Sequence, residues 1–377
     1  MALDILYFST SSAGDASGSS WANRAAFLSA GVVSTLITGK DYTSNALEAR
    51  VGPGTYAITT SFATFSSTAP SNRMPCLIQA CDSSGNLWAP PSPGWSAAQV
   101  VWSETNMPVF ATTTNITTVN HSGIGLRGIK FTASGANTSV VNAHLFADWV
   151  SVYQSASNSN AIGIAGSPRH QSNVYVSMSG TSYQAGITAA PTLLSHNLRV
   201  QGNLSASSGN RDGVLNTSGI PVFDKICSFN HVGRGIGNTS TGASSGISLT
   251  HSVIAQCTGD AYVTASTNSS TAGVVHGCMI TGNTGWGANI SSTGKVVVQN
   301  SRFRNNTAGN ITGIGNWPET QDNITTSGSD SDEYVDAASY DFRIKSTSSL
   351  WGKGYGAGDQ PASASVRHPL LTPPVIG

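Results

Sequence analysis

Between Ile220 and Ile311 the chain writes one short pattern four times, and that repetition restricts the fold more than anything else in it. Lys225-Ile-Cys-Ser-Phe-Asn230, His251-Ser-Val-Ile-Ala-Gln256, Gly277-Cys-Met-Ile-Thr-Gly282 and Asn300-Ser-Arg-Phe-Arg-Asn305 each set a small residue two places before a large apolar one, and a Gly or Asn turn follows. The large residues Phe229, Ile254, Ile280 and Phe303 stand 25, 26 and 23 residues apart. Such a period implies a solenoid, because a single unit cannot bury its apolar face alone and must stack on its neighbours. Phe131, Val152, Val176 and Val200 extend the series upstream, with steps of 21, 24, 24 and 29 residues leading down to Phe229. Two places before each anchor stand Ile129, Val150, Val174, Leu198, Cys227, Ser252, Cys278 and Ser301. In a strand these share the anchors' inward face, while Lys130, Ser151, Tyr175, Arg199, Ser228, Val253, Met279 and Arg302 between them point outward. Asn230, Asn283, Asn305 and Asn306 in the turns suit left-handed backbone and side-chain ladders between rungs.

Composition agrees with an all-β stack. Only 10% of the 377 residues are charged, against about 25% in ordinary domains, yet 39% are apolar and the net charge is zero. A disordered chain would show the opposite balance. The 18 Lys and Arg are scattered singly, so no nucleic-acid partner is expected. No apolar run approaches the roughly 18 residues that cross a membrane. The start, Met-Ala-Leu-Asp4, lacks a basic and apolar leader, which predicts synthesis in a cytoplasm without a signal peptide. Five cysteines lack paired or zinc-ligand spacing, so no metal or other cofactor is expected, and Cys227 and Cys278 read as inward packing.

Before the counted rungs, Ile5–Thr10 alternates as a strand, and Trp21–Ala30 reads as a helix with Ser19 or Ser20 as N-cap, Gly31 as stop, and Trp21, Ala25 and Leu28 on one face. Such a helix would cap the open end of a stack. Ala46–Val51, Gly52-Pro-Gly54 and Thr55–Ile58 read as strand, turn and strand. The segment carrying Trp88, Pro90, Pro91, Pro93 and Trp95 is expected to cover the early rungs, with a ligand-facing loop as the alternative. Residues 202–219 are expected to be a loop.

Ile5-Leu-Tyr-Phe-Ser-Thr10, Gly14-Asp15, Gly18-Ser-Ser-Trp21-Ala22 and Val51-Gly-Pro-Gly-Thr-Tyr56 together resemble the opening of right-handed parallel β-helix proteins of the pectate-lyase-like superfamily. Tyr334-Val-Asp-Ala, Asp341-Phe-Arg-Ile and the Ser348–Gly354 turn resemble their closing segment, although Ser349-Leu-Trp351 replaces its usual proline. The resemblance implies a right-handed single-stranded parallel β-helix with a short N-terminal capping helix and a C-terminal cap and tail. The boundaries are a cap over residues 1–60, the β-helix over 61–315, and a C-terminal cap and tail over 316–377, with Pro361–Gly377 docked on a neighbour or free. Proteins of this kind occur among phage structural proteins and bacterial surface proteins.

Little chemistry stands out. Carbohydrate cleavage needs paired carboxylates or a base with a carboxylate-held metal, yet between Trp149 and Pro318 the only acids are Asp212, Asp224 and Asp260. Asp224, five places before Phe229, and Asp260, six after Ile254, are expected on different sides of a rung, and Asp212 in a turn. His251 and His276, one rung apart, could neighbour each other on the surface. Asp330, Asp332, Glu333, Asp336 and Asp341 lack the pattern of a calcium loop and read as a solvated capping run. No catalytic or metal-binding residue is assigned, and the binding residues are unknown. The expected protein is a non-enzymatic phage virion component, a head decoration, fibre or tail spike. Its expected partners are other virion proteins, further copies of itself, a trimer by resemblance, and surface polysaccharide. The alternatives are a polysaccharide depolymerase of tailspike type and a bacterial surface adhesin.

Overall fold

The computed structural model describes residues 2–27, 45–59, 76–91, 96–98, 103–113, 119–120, 123–135, 139–142, 146–165, 170–189, 193–207, 211–239, 246–264, 272–290, 295–313, 324–325 and 329–351. The chain is a parallel β-solenoid with a long sheet and a nine-stranded second sheet. Ala2–Ser9 pairs in parallel with Asn45–Val51, and the ladder continues through Cys76–Ala80, Ile124–Ala133, Phe146–Gln154, His170–Met178, Leu194–Gln201 and Val222–Phe229. Below that, each rung has two short strands, such as Ser248–Thr250 and Val253–Ala255. The second sheet stacks Ser139–Asn142, Ile162–Ala165, Ala185–Ala189, Asp212–Asn216, Ile236–Asn238, Tyr262–Thr264, Trp286–Ile290 and Gly309–Thr312. Residues 202–219 therefore hold a strand of this sheet as well as a loop.

One backbone device recurs at every rung of the long sheet from Ile124 onward. Gly128, Trp149, Asn173, Asn197, Lys225, His251, Gly277 and Asn300 all have left-handed dihedrals, with φ between 44° and 68°. They stand in register, and the pairing skips each of them. The skip bends the strand into two limbs. Most side chains avoid this conformation. Asn tolerates it, and here Asn197 Nδ2 also donates to Asn173 Oδ1 at 2.8 Å, the rung-to-rung ladder expected of asparagine. A second left-handed column, Asn230, Gln256, Gly282 and Asn305, ends the second limb. Beside it Asn283 Nδ2 donates to Asn306 Oδ1 at 2.8 Å inside the protein.

The inward column of the second limb runs Phe131, Val152, Val176, Val200, Ser228, Ile254, Ile280 and Phe303. Seven of the eight predicted anchors stand in it. Phe229 does not: Ser228 takes its place, and Phe229 and Cys227 turn outward. The reason lies three residues on. His231 is fully buried there, and with Ser228 it crowds Gly213, whose missing Cβ would sit 2.1 Å from Ser228 Oγ and 2.7 Å from His231 Nε2. The equivalent residues below are the smaller Cys257, Asn283 and Asn306, beside the larger Ile254, Ile280 and Phe303. A small residue at the anchor is thus matched with a large one three places on, as close packing requires. Cys278 does lie inward, with Ser252 and Ser301. All five cysteines are buried and outside any disulfide, and burial pushes the thiols of Cys81, Cys227, Cys257 and Cys278 up to about 12.

The N-terminal helix is not formed over its described part, residues 21–27. Ala25–Ala26 is a short strand paired with Phe8–Ser9. Phe27 stacks on Phe110 at 5.0 Å and meets Phe8 edge-on at 5.2 Å. An extended chain buries Ala25 and Phe27 together, whereas the helix would have turned Phe27 away from Ala25, so aromatic packing overrides local propensity. Residues 28–31 lie outside the described residues, as do Pro93, Trp95 and the tail 352–377.

Two segments cover the outer face of the second limb. Trp88 packs edge-on to Trp149 at 6.0 Å and donates Nε1–H to Thr105 O, while Lys130 and Tyr153 both bond Glu104, in line with the expected cover over the early rungs. Residues 329–351 run back up the face over Cys227, Phe229, Val253, Ala255 and Met279, contributing Tyr334, Phe342, Ile344 and Leu350. The two covers meet at Arg199, which is 2% exposed. Its guanidinium donates to Ala97 O at 2.9 Å and Tyr340 O at 3.0 Å and lies 4.3 Å above the Phe229 ring. Replacing Arg199 by Met keeps the volume but leaves both carbonyls without their charged donor. About 2–4 kcal/mol of stability should be lost, measured by urea unfolding, with faster proteolysis between residues 337 and 344.

His231 Nε2–H donates to Val200 O at 3.3 Å, so Nδ1 accepts from the Tyr183 hydroxyl at 3.1 Å. Burial, partly opposed by the bond to Val200, lowers the imidazole pKa to about 4. Its folded value lies below the unfolded value near 6.5, so the stabilisation is complete above pH 6.5 and is lost as pH falls toward 4. Over that window the wild type should lose about 3 kcal/mol more than a His231→Asn variant, followed by urea unfolding at several pH values.

Candidate functional site: a carboxylate between two imidazoles

In the first limb, side chains alternate between a core column that includes Ala147, Phe223, Leu249, Val275 and Val298 and two outward columns. The outward column next to the bend is polar: Arg127, Asp148, Ser172, His196, Asp224, Thr250, His276 and Gln299 follow one another rung by rung. At the bend itself Lys225 and His251 take the left-handed positions.

Asp224 is the centre of this strip. Its Oδ2 accepts from His196 Nδ1 at 2.9 Å, and its Oδ1 accepts from His251 Nδ1 at 3.0 Å and from Thr250 Oγ1 at 2.8 Å. Burial pushes the carboxyl pKa up, but the bonds from His196, His251 and Thr250 outweigh it and hold the group well below the usual carboxylate range. Donation from both Nδ1 atoms sets the tautomers and leaves each Nε2 as an acceptor on a side chain nearly two-fifths exposed. His276 meets the His251 ring edge-on at 6.0 Å, and burial together with His251 lowers its pKa. His170, its pKa lowered by burial, lies flat on Phe146 at 5.8 Å. Three of the chain's eight histidines, His196, His251 and His276, therefore lie in or beside this strip, while His170 stands in the other outward column.

His251 and His276 are neighbours, as the sequence suggested, and Asp224 supplies the carboxylate that their spacing had not revealed. His196 was missed. Counted from Ser228, Asp224 stands four places before its anchor, as do His196 before Val200 and His276 before Ile280; counted from Phe229, that alignment disappears.

The other acids serve the fold. Asp212 is fully buried, opening a strand rather than lying in a turn, and Arg234 bonds it through Nε at 3.1 Å, Nη2 at 2.6 Å and the backbone N at 2.8 Å. Asp260 accepts from Trp286 N at 2.6 Å and Asn289 Nδ2 at 2.8 Å. Asp212 and Asp260 belong to the second sheet's rungs and Asp224 to the long sheet, so the three do not converge. In the C-terminal run, Asp332 closes a capping box with Ser329, Asp330 accepts from Thr281 and Asp336 caps a short turn. Glu333 and Asp341 are buried against arginines rather than solvated. No cluster of His, Cys, Asp and Glu among the described residues has the geometry of a metal site. No described helix is long and apolar enough to cross a membrane.

No protein-family model matches the sequence, and no curated protein does. Among solved structures, the crystal structure of pectate lyase Pel9A superposes with a TM-score of 0.51 and 14% identity over 96% of this chain and 93% of that one. The two chains share a parallel β-helix fold. At that identity the likeness is one of fold, and it spans this β-helix nearly from end to end.

Because Asp224 is held anionic, its side-chain 13C signal should not move between pH 7 and pH 4. The 15N spectrum of wild type should show Nδ1-protonated imidazoles at His196 and His251 near neutral pH, and Asp224→Ala should convert both to mixed tautomers.

Proposed function

We propose that this β-helix is a non-enzymatic structural protein of a phage virion that presents a rigid surface and binds surface polysaccharide through the Asp224 strip. The observation that carries the reading is the isolation of Asp224. The next acid on its column, Asp148, stands three rungs away, about 14 Å at the spacing of paired strands. Glycoside hydrolysis places its two carboxyl groups roughly 5–9.5 Å apart and needs one protonated, whereas Asp224 is kept ionised. What the strip offers is a set of fixed donors and acceptors suited to sugar hydroxyls. Sparse charge and a stack sealed along one face by two covers suit a durable particle component.

In this reading the chain is made in the host cytoplasm, partners other virion proteins and further copies of itself, and meets neither membrane nor nucleic acid. Glycan arrays and calorimetry should detect binding that weakens about tenfold in His196→Ala, Asp224→Ala and His251→Ala, without release of oligosaccharides. Mass spectrometry should find the chain in purified virions; binding to host cells with no associated virion would favour a surface adhesin instead.

One observation favours a depolymerase as the second reading. Two imidazoles oriented by one carboxylate can exchange protons with a substrate. Oligosaccharide release that Asp224→Asn abolishes would establish it.

A further inference from the structure

Residues 329–351 are fastened to the molecule in a different way from the rungs. A strand such as His170–Met178 is bonded to a parallel neighbour along each edge. Among the described residues, by contrast, Tyr334–Asp336 and Asp341–Ile344 pair with each other alone, antiparallel. One backbone hydrogen bond leaves the segment, from Phe342 N to Ala98 O at 3.0 Å, and it reaches the other cover rather than the stack. Side chains make the remaining links. Arg304 donates to Ser329 O at 2.6 Å, Gln256 to Ala337 O at 3.1 Å and Arg199 to Tyr340 O, while Arg302 pairs with Glu333. Inside the segment the ties are denser: the Ser329–Asp332 capping box, the hairpin, and Lys345 N donating to Glu333 O at 2.7 Å.

We infer that residues 329–351 form a strap that opens and closes as one unit over an intact β-helix. Opening breaks no bond of the parallel ladders, so it costs less than unfolding the stack. Two features of the closed state favour release. Tyr340 is held at φ 63°, a left-handed conformation that a bulky residue avoids. Arg302 Nε, Arg304 Nε and the Tyr334 hydroxyl are buried at the join with no hydrogen-bond partner among the described residues, and opening returns them to water. A two-stranded hairpin is marginal by itself, so the strap loses its internal bonds together once it lifts. The face it uncovers carries the Arg199 guanidinium, Phe229, Val253, Met279 and the Cys227 thiol. Asp224 stands on the other limb and keeps its bonds, so the inference is independent of any glycan binding.

The cysteines report the opening. Cys227 lies outward beneath the strap, whereas Cys257 lies in the core of the stack. In pulsed alkylation of the native full chain with iodoacetamide, each rate is divided by that of the same cysteine in urea-unfolded protein. Cys227 should then react about a hundredfold faster than Cys257. Leu249→Ala, in the core of the first limb, should speed Cys257 at least about thirtyfold and leave Cys227 unchanged. Phe342→Ala, which removes ring contacts with Phe229 and Tyr334, should speed Cys227 by a similar factor while the circular dichroism spectrum is kept. Hydrogen exchange should give the amides of Tyr340, Phe342 and Lys345 one common opening free energy, below that of the ladder amides of residues 174–177. A wild type in which Cys227 reacts no faster than Cys257 would overturn the inference. So would a Leu249→Ala protein in which both thiols accelerate alike, a Phe342→Ala protein whose stack unfolds, or strap amides that open at separate free energies.

Discussion

Everything in this molecule depends on one rung lying in register on the next. Parallel pairing alone would leave that register free to slip, because the limbs on either side of each bend are short and many residues are Ser, Thr or Asn. The left-handed residue at each bend fixes it: a skipped position in one strand must sit over a skipped position in the next, or the hydrogen bonds on one side of the bend are lost. The stack is therefore held by nearest neighbours, and each column of side chains becomes a straight line.

Straight columns explain why the chain could be read so far from its residues alone. The inward set needs only apolar volume at a steady interval, which a sequence displays directly. Where the reading failed, two residues traded volume across a rung. A large Phe229 beside a small Ser228 looks like an anchor, and only the buried His231, three residues later, shows that the space was already filled. That single displacement hid the match of His196 with Asp224, and with it the centre of the candidate site. Counted from Phe229, Asp224 falls one residue out of line with the histidines. The N-terminal helix failed for a related reason, as Phe27 gains more from the ring of Phe110 than from a helical turn.

Outward residues were harder to interpret, because what they meet comes from distant parts of the chain. Val253 and Met279 are apolar at positions that would ordinarily face water, and Arg199 is a buried cation with no carboxylate partner among the described residues. Both oddities resolve once residues 329–351 lie over them. The carbonyls of Ala97 and Tyr340, one from each cover, take the place of a counter-charge. A buried charge is tolerated when hydrogen bonds satisfy it, and its removal costs more than its presence contributes.

The late cover has a consequence during synthesis. The patch formed by Phe229, Val253 and Met279 leaves the ribosome well before Tyr340 and Phe342, which shield it. At translation rates of about 5–20 residues per second, the interval is roughly 6–22 seconds for Phe229 and roughly 3–12 seconds for Met279. Throughout that time the growing stack presents an open apolar face with neighbouring nascent chains close by. The segment that completes the molecule thus also ends its period of greatest exposure to aggregation.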